Sequence, residues 1–161
     1  MCRVGLISDT HGLLRAEALQ ALCGAERIIH AGDIGGPEVI EALRAIAPVD
    51  AVRGNNDRGA WASRLPLRLD LQLDGVRIHV LHDIQELDFG PAGDRFDVVI
   101  SGHSHKPGIV QREGVLLVNP GSAGPRRFSF PVSVGYLIIA NGAASAEIRN
   151  LAAGDPRKPE K

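Results

Sequence analysis

The sequence predicts an α/β fold whose first half builds a parallel sheet and whose second half builds antiparallel pairs. Three observations carry this expectation. Short apolar runs alternate with amphipathic helical stretches from Val4 to Arg53, the pattern of right-handed crossovers onto a parallel sheet. After Pro66 the chain changes to apolar–polar alternation punctuated by Asp74-Gly75 and Asn141-Gly142, both strong hairpin signals. Finally, run after run ends on an acid, an amide or a histidine. That gathers polar chemistry at one sheet edge, where open α/β sheets place their ligands.

Val4 to Ser8 reads as a buried strand, and Leu14 to Cys23 as a helix with Leu14, Ala18, Leu19 and Leu22 on one face. Gly24 stops that helix, with Cys23 as a small buried residue closing it. A second strand, Arg27 to Ala31, runs into Gly32-Asp33. The next helix carries Pro37 in its first turn, Glu38 and Glu41 near its start and a stop at Pro48, with Val39, Ile40, Leu43 and Ile46 on its apolar face. A third strand, Val49 to Arg53, ends at Gly54-Asn55-Asn56-Asp57. Leu67 to Leu73 and Val76 to His82 form the hairpin around Asp74-Gly75, and 83–95 reads as loop with at most a short helix. Asp97 to Ser101 delivers Gly102-His103-Ser104-His105. The remaining strands are Gly108 to Arg112, Val115 to Asn119, Val134 to Ala140 and Ala144 to Arg149, with a turn at Glu113-Gly114. One domain spans residues 1–151, and the Pro-, Lys- and Glu-rich tail 152–161 is expected to be disordered.

Composition limits the function classes. A net charge of −1 gives no electrostatic footprint for nucleic acid or an anionic membrane. Cys2 and Cys23 make neither a disulfide framework nor a metal spacing. The first strand begins almost at Met1, and no apolar run approaches a membrane span, so a cytoplasmic protein is expected. A homo-oligomer is compatible with the sequence, which offers no residue-level argument for one.

The strand-end residues are Asp9, His11, Asp33, Asn55, His82, His103 and His105. In extended backbone, residues two apart point to one side, so Asp9/His11 and His103/His105 are each expected to converge. His30 and His79 lie inside strands and read as structural. Seven mixed oxygen and nitrogen donors exceed the needs of one ion and suit two that share a carboxylate. Such donors fit manganese, iron, nickel or zinc rather than a soft thiolate-bound ion. Two ions roughly 3.5–4 Å apart are a recurring device for splitting phosphate esters. They attract phosphoryl oxygens, make hydroxide available from a bridging water near neutrality, and stabilise transition-state charge.

Asp9-x-His11, Gly32-Asp33, Gly54-Asn55-x-Asp57, His82, Gly102-His103-Ser104-His105 and Asn119-Pro120-Gly121-Ser122 together resemble the calcineurin-like metallophosphoesterase superfamily. The length and spacing are most similar to its small YfcE-like phosphodiesterases, a group that also resembles the Vps29 subunit of retromer. The resemblance implies a four-layer α-β-β-α sandwich of two mixed sheets. It also implies one ion on Asp9, His11, Asp33 and His105, and another on Asp33, Asn55, His82 and His103, with Asp33 bridging. Manganese is the expected metal, with a small phosphodiester or nucleotide-like molecule as substrate. Asn55 and His103 are expected to hold the phosphate, and Asp57 joins them in the catalytic set as support, unless it is an ordinary turn aspartate.

Two departures stand out. Many superfamily members have a histidine at the position of Asn56, where it is thought to protonate the leaving group, and an amide cannot do so. Its loss argues against good phosphomonoesterase activity rather than against catalysis. Asp83 stands where a glycine is common, either orienting a ligand or simply solvated. Arg126 and Arg127 fit either phosphate contact or solvent. Trp61, Phe128 and Phe130 suit either a base or aryl pocket or packing. The expected function is therefore metal-dependent phosphodiester hydrolysis. The alternatives are a Vps29-like interaction scaffold and hydrolysis of a nucleotide pyrophosphate linkage.

Overall fold

Alternation along β1 (Cys2–Ile7) decides the layering. Val4 and Leu6 point into a core shared between two sheets, whereas Ile7 points into a second core beneath the helices. Gly5 lies on the helix side, where a Cβ would stand 2.7 Å from Leu22 of α1 (Ala16–Leu22), so its lack of a side chain lets that helix sit directly on the strand. In β2 (Arg27–His30) the same division sends Ile28 to the helices and Ile29 to the sheet interface.

The computed structural model describes residues 1–88, 95–127 and 129–151. Its further elements are α2 (Pro37–Arg44), β3 (Val49–Ala51), α3 (Ala60–Ser63), β4 (Arg68–Leu73), β5 (Val76–Leu81), a 3-10 turn (Ile84–Glu86), β6 (Val98–Ile100), β7 (Gly108–Arg112), β8 (Val115–Asn119), β9 (Ser133–Ala140) and β10 (Ala143–Asn150). One sheet has the order β10-β9-β1-β2-β3 and the other β4-β5-β6-β8-β7. Both are mixed: β1, β2 and β3 are parallel, as are β5, β6 and β8, while their outer neighbours run antiparallel. This is the two-sheet sandwich expected. Helices α1 and α2 cover the first sheet; on the second, among the described residues, the 3-10 turn and Phe96 cap a small cluster of Leu81, Val99 and Val115.

The expected hairpin turns form with positive φ at both central residues: Asp74 and Gly75, Glu113 and Gly114, Asn141 and Gly142. That is the twist-matching I′ geometry. Two local expectations are corrected. Cys23 does cap α1, but it is exposed, because the face of α1 buried by Ala18 and Leu22 turns away from it. Helix α3 was not expected: a single turn from 60 to 63 is too short to show a periodic apolar face. The tail 152–161, Phe128 and the centre of the loop at 89–94 lie outside the described residues. Among the described residues no helix is long and apolar enough to cross a membrane.

Candidate metal centre

Five strands deliver the polar residues to one edge of the sandwich. Parallel β1, β2 and β3 lead into Asp9 and His11, Asp33, and Asn55 and Asp57, while parallel β5 and β6 of the other sheet lead into His82 and into His103 and His105. Glycines are required where the loops meet. A Cβ on Gly102 would stand 2.0 Å from Ser8 Oγ and 2.6 Å from Asp9 Oδ2, and one on Gly54 would stand 2.2 Å from Asp33 Oδ1. Each carboxylate is thus pressed against bare backbone.

The backbone at this edge is not extended. Asp9, His11, Asp33, His103 and His105 all have φ between 47° and 70°. The other three described non-glycine residues with positive φ occupy the hairpin turns, so away from those turns left-handed backbone belongs to candidate-site residues alone. Such conformations cost of order 1–3 kcal/mol each and persist where the surroundings enforce them. Of the two i, i+2 pairs expected to converge, Asp9 and His11 do so within one donor group, whereas His103 and His105 do not. The His11 and His105 rings lie together, 5.4 Å apart, and His82 pairs with His103 at 5.1 Å, so the two histidines of Gly-His-Ser-His diverge to opposite sides.

Between these pairs lie Asp9 and Asp33. Asp9 Oδ1 is 3.4 Å from His105 Nε2, 3.8 Å from His82 Nε2 and 3.9 Å from His11 Nε2. Asp33 Oδ2 is 3.3 Å from His82 Nε2 and 3.7 Å from His11 Nε2. Donors about 2.1 Å from a common tetrahedral ion lie about 3.4 Å apart, so these spacings approach the edges of a coordination polyhedron. Among the described residues, two groups of three each bring one ligand atom per residue within 4.8 Å of one another: Asp9, His11 and His105, and Asp9, Asp33 and His82. Asn55 and His103 stand outside both groups at the exposed rim, with Asn55 Oδ1 3.2 Å from His103 Nδ1.

Hydrogen bonds leave ligating atoms free. Asp9 Oδ2 accepts from Ser8 Oγ at 2.7 Å and from the His103 N–H at 3.1 Å, leaving Oδ1 bare. His82 Nδ1–H donates to the Ala31 carbonyl at 2.7 Å, which fixes the tautomer and leaves Nε2 for a ligand. Asp9 Oδ1, His11 Nε2, His82 Nε2 and His105 Nδ1 are buried without a hydrogen-bond partner; among the described residues only His79 Nε2 shares that condition. Buried polar atoms are rarely left so, and this concentration fits residues built for cations.

The electrostatics agree. Burial alone raises the Asp9 and Asp33 carboxyls, yet hydrogen bonds and neighbouring charge outweigh it and hold both below the usual carboxylate range. His105 and Ser8 act on Asp9, and His82 and Asn56 on Asp33. Burial also pulls His82 down, but Asp33 and Asp9 overcome it and push the imidazole up to about 9. Burial lowers His11, and the nearby Arg127 guanidinium adds to that effect, placing the arginine loop within electrostatic reach of the centre.

A supporting layer went largely unassigned in the sequence. Asp57, expected among the catalytic residues, faces backbone rather than the donor cluster. Its carboxylate accepts from the N–H groups of Ile34 (3.2 Å), Gly35 (3.0 Å) and Gly54 (2.9 Å), tying the loops after β2 and β3 together. Replacing Asp57 with alanine strands three N–H groups and is expected to cost about 3–5 kcal/mol in urea unfolding of the metal-free chain. A change below about 1 kcal/mol would show the loops to be held otherwise. Asn119 Nδ2 donates to the Gly102 carbonyl and to Ser104 Oγ, and Ser122 Oγ donates to the Asp9 carbonyl. The Asn-Pro-Gly-Ser motif was the available signal for both. Asp83 caps the 3-10 turn through Gln85 N–H, and its other oxygen lies 3.7 Å from His103 Nε2.

His30 is structural. Its Nδ1 accepts from the Gly32 N–H at 3.1 Å, so Nε2 carries the proton to Thr10 Oγ1 at 3.0 Å, and Thr10 donates to the Ile34 carbonyl at 2.7 Å. Burial pulls this imidazole from 6.5 down to about 4, against partial opposition from Asp9, Asp57 and Asp33. A folded-state value below the unfolded one means that the linked stability is complete above pH 6.5 and is lost as pH falls towards 4. His30→Gln, which keeps one donor and one acceptor but does not titrate, should flatten that loss by roughly 3 kcal/mol in acid-unfolding curves. Parallel curves for the two proteins would contradict this.

The model of the calcineurin-like phosphoesterase superfamily domain matches residues 2–142. The chain belongs to this superfamily. A probable metallophosphoesterase of Methanothermobacter thermautotrophicus is 35% identical over 157 residues, covering 90% of each chain. The phosphodiesterase YfcE of Escherichia coli is 32% identical over 164 residues, covering 85% of this chain and 88% of its own. Vps29 of Chaetomium thermophilum superposes with a TM-score of 0.76 at 20% identity, covering 94% of this chain and 97% of its own. The superfamily uses divalent metals, and the calcineurin-like domain described here has two donor groups of the right composition for them.

Proposed function

We propose that this chain is a phosphodiesterase working with two divalent ions, one held by Asp9, His11, Asp33 and His105 and the other by Asp33, Asn55, His82 and His103. The observation that carries the reading is the set of four buried, unpartnered atoms, three imidazole nitrogens and Asp9 Oδ1, gathered with Asp33 in two donor groups. Asp33 suits the bridging role because its Oδ2 lies near a histidine of each side. Bound there, such ions would supply charge for the phosphoryl oxygens and a water acidified towards neutrality. Manganese is the ion of first choice, and nickel, iron or zinc would accept the same donors.

The chain's own residues set what the site can do. Low carboxyl pKa values keep Asp9 and Asp33 ionised at neutral pH. Asn55 and His103, at the rim, are placed to contact a phosphate from the solvent side. A cavity of about 280 Å³ adjoins Asn55, His82 and His103 and is walled by Arg53, Leu67, Asp83 and Glu86, giving room for the alcohol portion of a small diester or nucleotide-like molecule. Asn56 has no proton to give a leaving group, which favours diesters over monoesters. Asp57 acts by holding loops rather than by touching substrate. The same residues could serve a pyrophosphate linkage, but the relatives named phosphodiesterase support the diester. The likeness to Vps29 is one of fold.

The test is metal content measured together with hydrolysis of a chromogenic diester and its monoester counterpart, after chelation and after manganese addition. Two ions per chain, with manganese-dependent cleavage favouring the diester, is the expected result. Low occupancy and no turnover with any divalent ion would overturn the reading in favour of an interaction scaffold.

A further inference from the structure

Asn56, at the position of the superfamily's leaving-group histidine, is exposed but turns its carboxamide onto Asp33. Its side-chain Nδ2 donates to Asp33 Oδ2 at 2.9 Å and its backbone N–H donates to Asp33 Oδ1 at 2.9 Å, so one residue grips both oxygens of a single carboxylate. The backbone bond is open to any residue at this position; the carboxamide bond is not. Asp33 Oδ2 is also the atom 3.3 Å from His82 and 3.7 Å from His11. The carboxylate also abuts Gly54, with no space there for even a methyl group. Glycine backbone thus packs against Asp33 Oδ1, and the carboxamide of Asn56 holds Oδ2.

The choice of an amide has a chemical reason. A lysine or arginine here would hold Asp33 equally well, but it would neutralise the charge that a cation needs. A carboxamide donates without charge and does not titrate.

We infer that Asn56 is a positioning residue whose carboxamide holds Asp33 so that its Oδ2 stays within reach of both His82 and His11, and that it thereby sets the affinity for the second ion. The inference rests on the two-ion reading above. Hydrogen bonds from outside a coordination sphere are worth about 10- to 100-fold in metal affinity, and the exposure of Asn56 places it at the lower end.

The experiment titrates Mn2+ into the full chain by calorimetry and follows diester hydrolysis against Mn2+ concentration. It compares the wild type with Asn56→Ala and with Asn56→Leu, which keeps the shape and deletes the donor. In both variants the weaker Mn2+ site should lose about tenfold in affinity and the half-saturating Mn2+ should rise in step. The rate at saturating Mn2+ should fall far less, and the melting temperature of the metal-free chain should stay put. Wild-type affinity in both variants would overturn the inference. So would a rate lost at saturating Mn2+ with affinity unchanged, since Asn56 would then act on substrate. A wild type that binds no Mn2+ overturns the two-ion reading, and the inference falls with it.

Discussion

Replacing Asp33 with alanine is expected to lower diester turnover by about 1,000-fold or more, because it removes one of the two carboxylates that lie near histidines on both sides of the centre. Manganese binding should fall from two ions per chain to one or none. The fold should survive. The Asp33 main chain is fixed independently of its side chain, through the bond from His11 N–H to the Asp33 carbonyl and through the grip of Asp57 on Ile34 and Gly35. Its deletion removes the contacts with His82 and Asn56 that hold its carboxyl low, so circular dichroism should match the wild type while the metal-free melt moves down modestly. His103→Ala is the companion variant: its side chain is 45% exposed, so its loss should leave stability unchanged while turnover collapses. Undiminished activity in both variants would remove the centre from catalysis.

Chelation should lower the melting temperature by about 10 °C for each ion initially held at 1,000 times its dissociation constant. At that excess each ion stabilises the folded chain by about 4 kcal/mol, and a chain of this length shifts by about 2–4 °C per kcal/mol. The donors explain why the effect should be large: they come from five loops on two sheets, so an ion here joins parts of the fold that hydrogen bonds alone connect only in places. The fall should not amount to unfolding, since at neutral pH the proton on His82 already offsets part of the Asp33 and Asp9 charge. Differential scanning calorimetry before and after chelation, with restoration by Mn2+, decides the matter. Identical melts from protein shown to carry ions would mean that the centre is not coupled to the fold.

Much of this was legible in the residues. Pro37, Gly24, Asp74-Gly75 and Asn141-Gly142 act locally, through fixed φ, tolerance of positive φ and turn chemistry, so the ends of helices and hairpins followed directly. The donor set was readable because each member follows a strand, and parallel strands place their ends on one side. What could not be read was set by long-range packing. The left-handed backbone at His103 and His105, which sends the two rings apart, is enforced by Gly102 lying against Ser8 and Asp9, some ninety positions earlier. Asp57 looks like any turn aspartate until the amides of Ile34 and Gly35 are seen in front of it. Cys23 looked buried from its helical position, yet it is exposed, since Ala18 and Leu22 are the residues that α1 buries.

The order of the first sheet bears on how the molecule is made. β1 leaves the ribosome well before β9, yet β9 is one of its two neighbours, with Cys2 opposite Ile139. Until Ser133–Ala140 has been synthesised, an apolar strand edge at the centre of that sheet has no partner, and Ser122 and Ala123 have not yet closed over the Asp9 loop. At usual elongation rates this lasts roughly ten seconds. Such a chain can gather its β2 and β3 crossovers while nascent, but it closes the sheet only once β9 has emerged. The residues of β1 thus reach their final environment long after they are made, and during that interval β1 needs protection from other nascent strands.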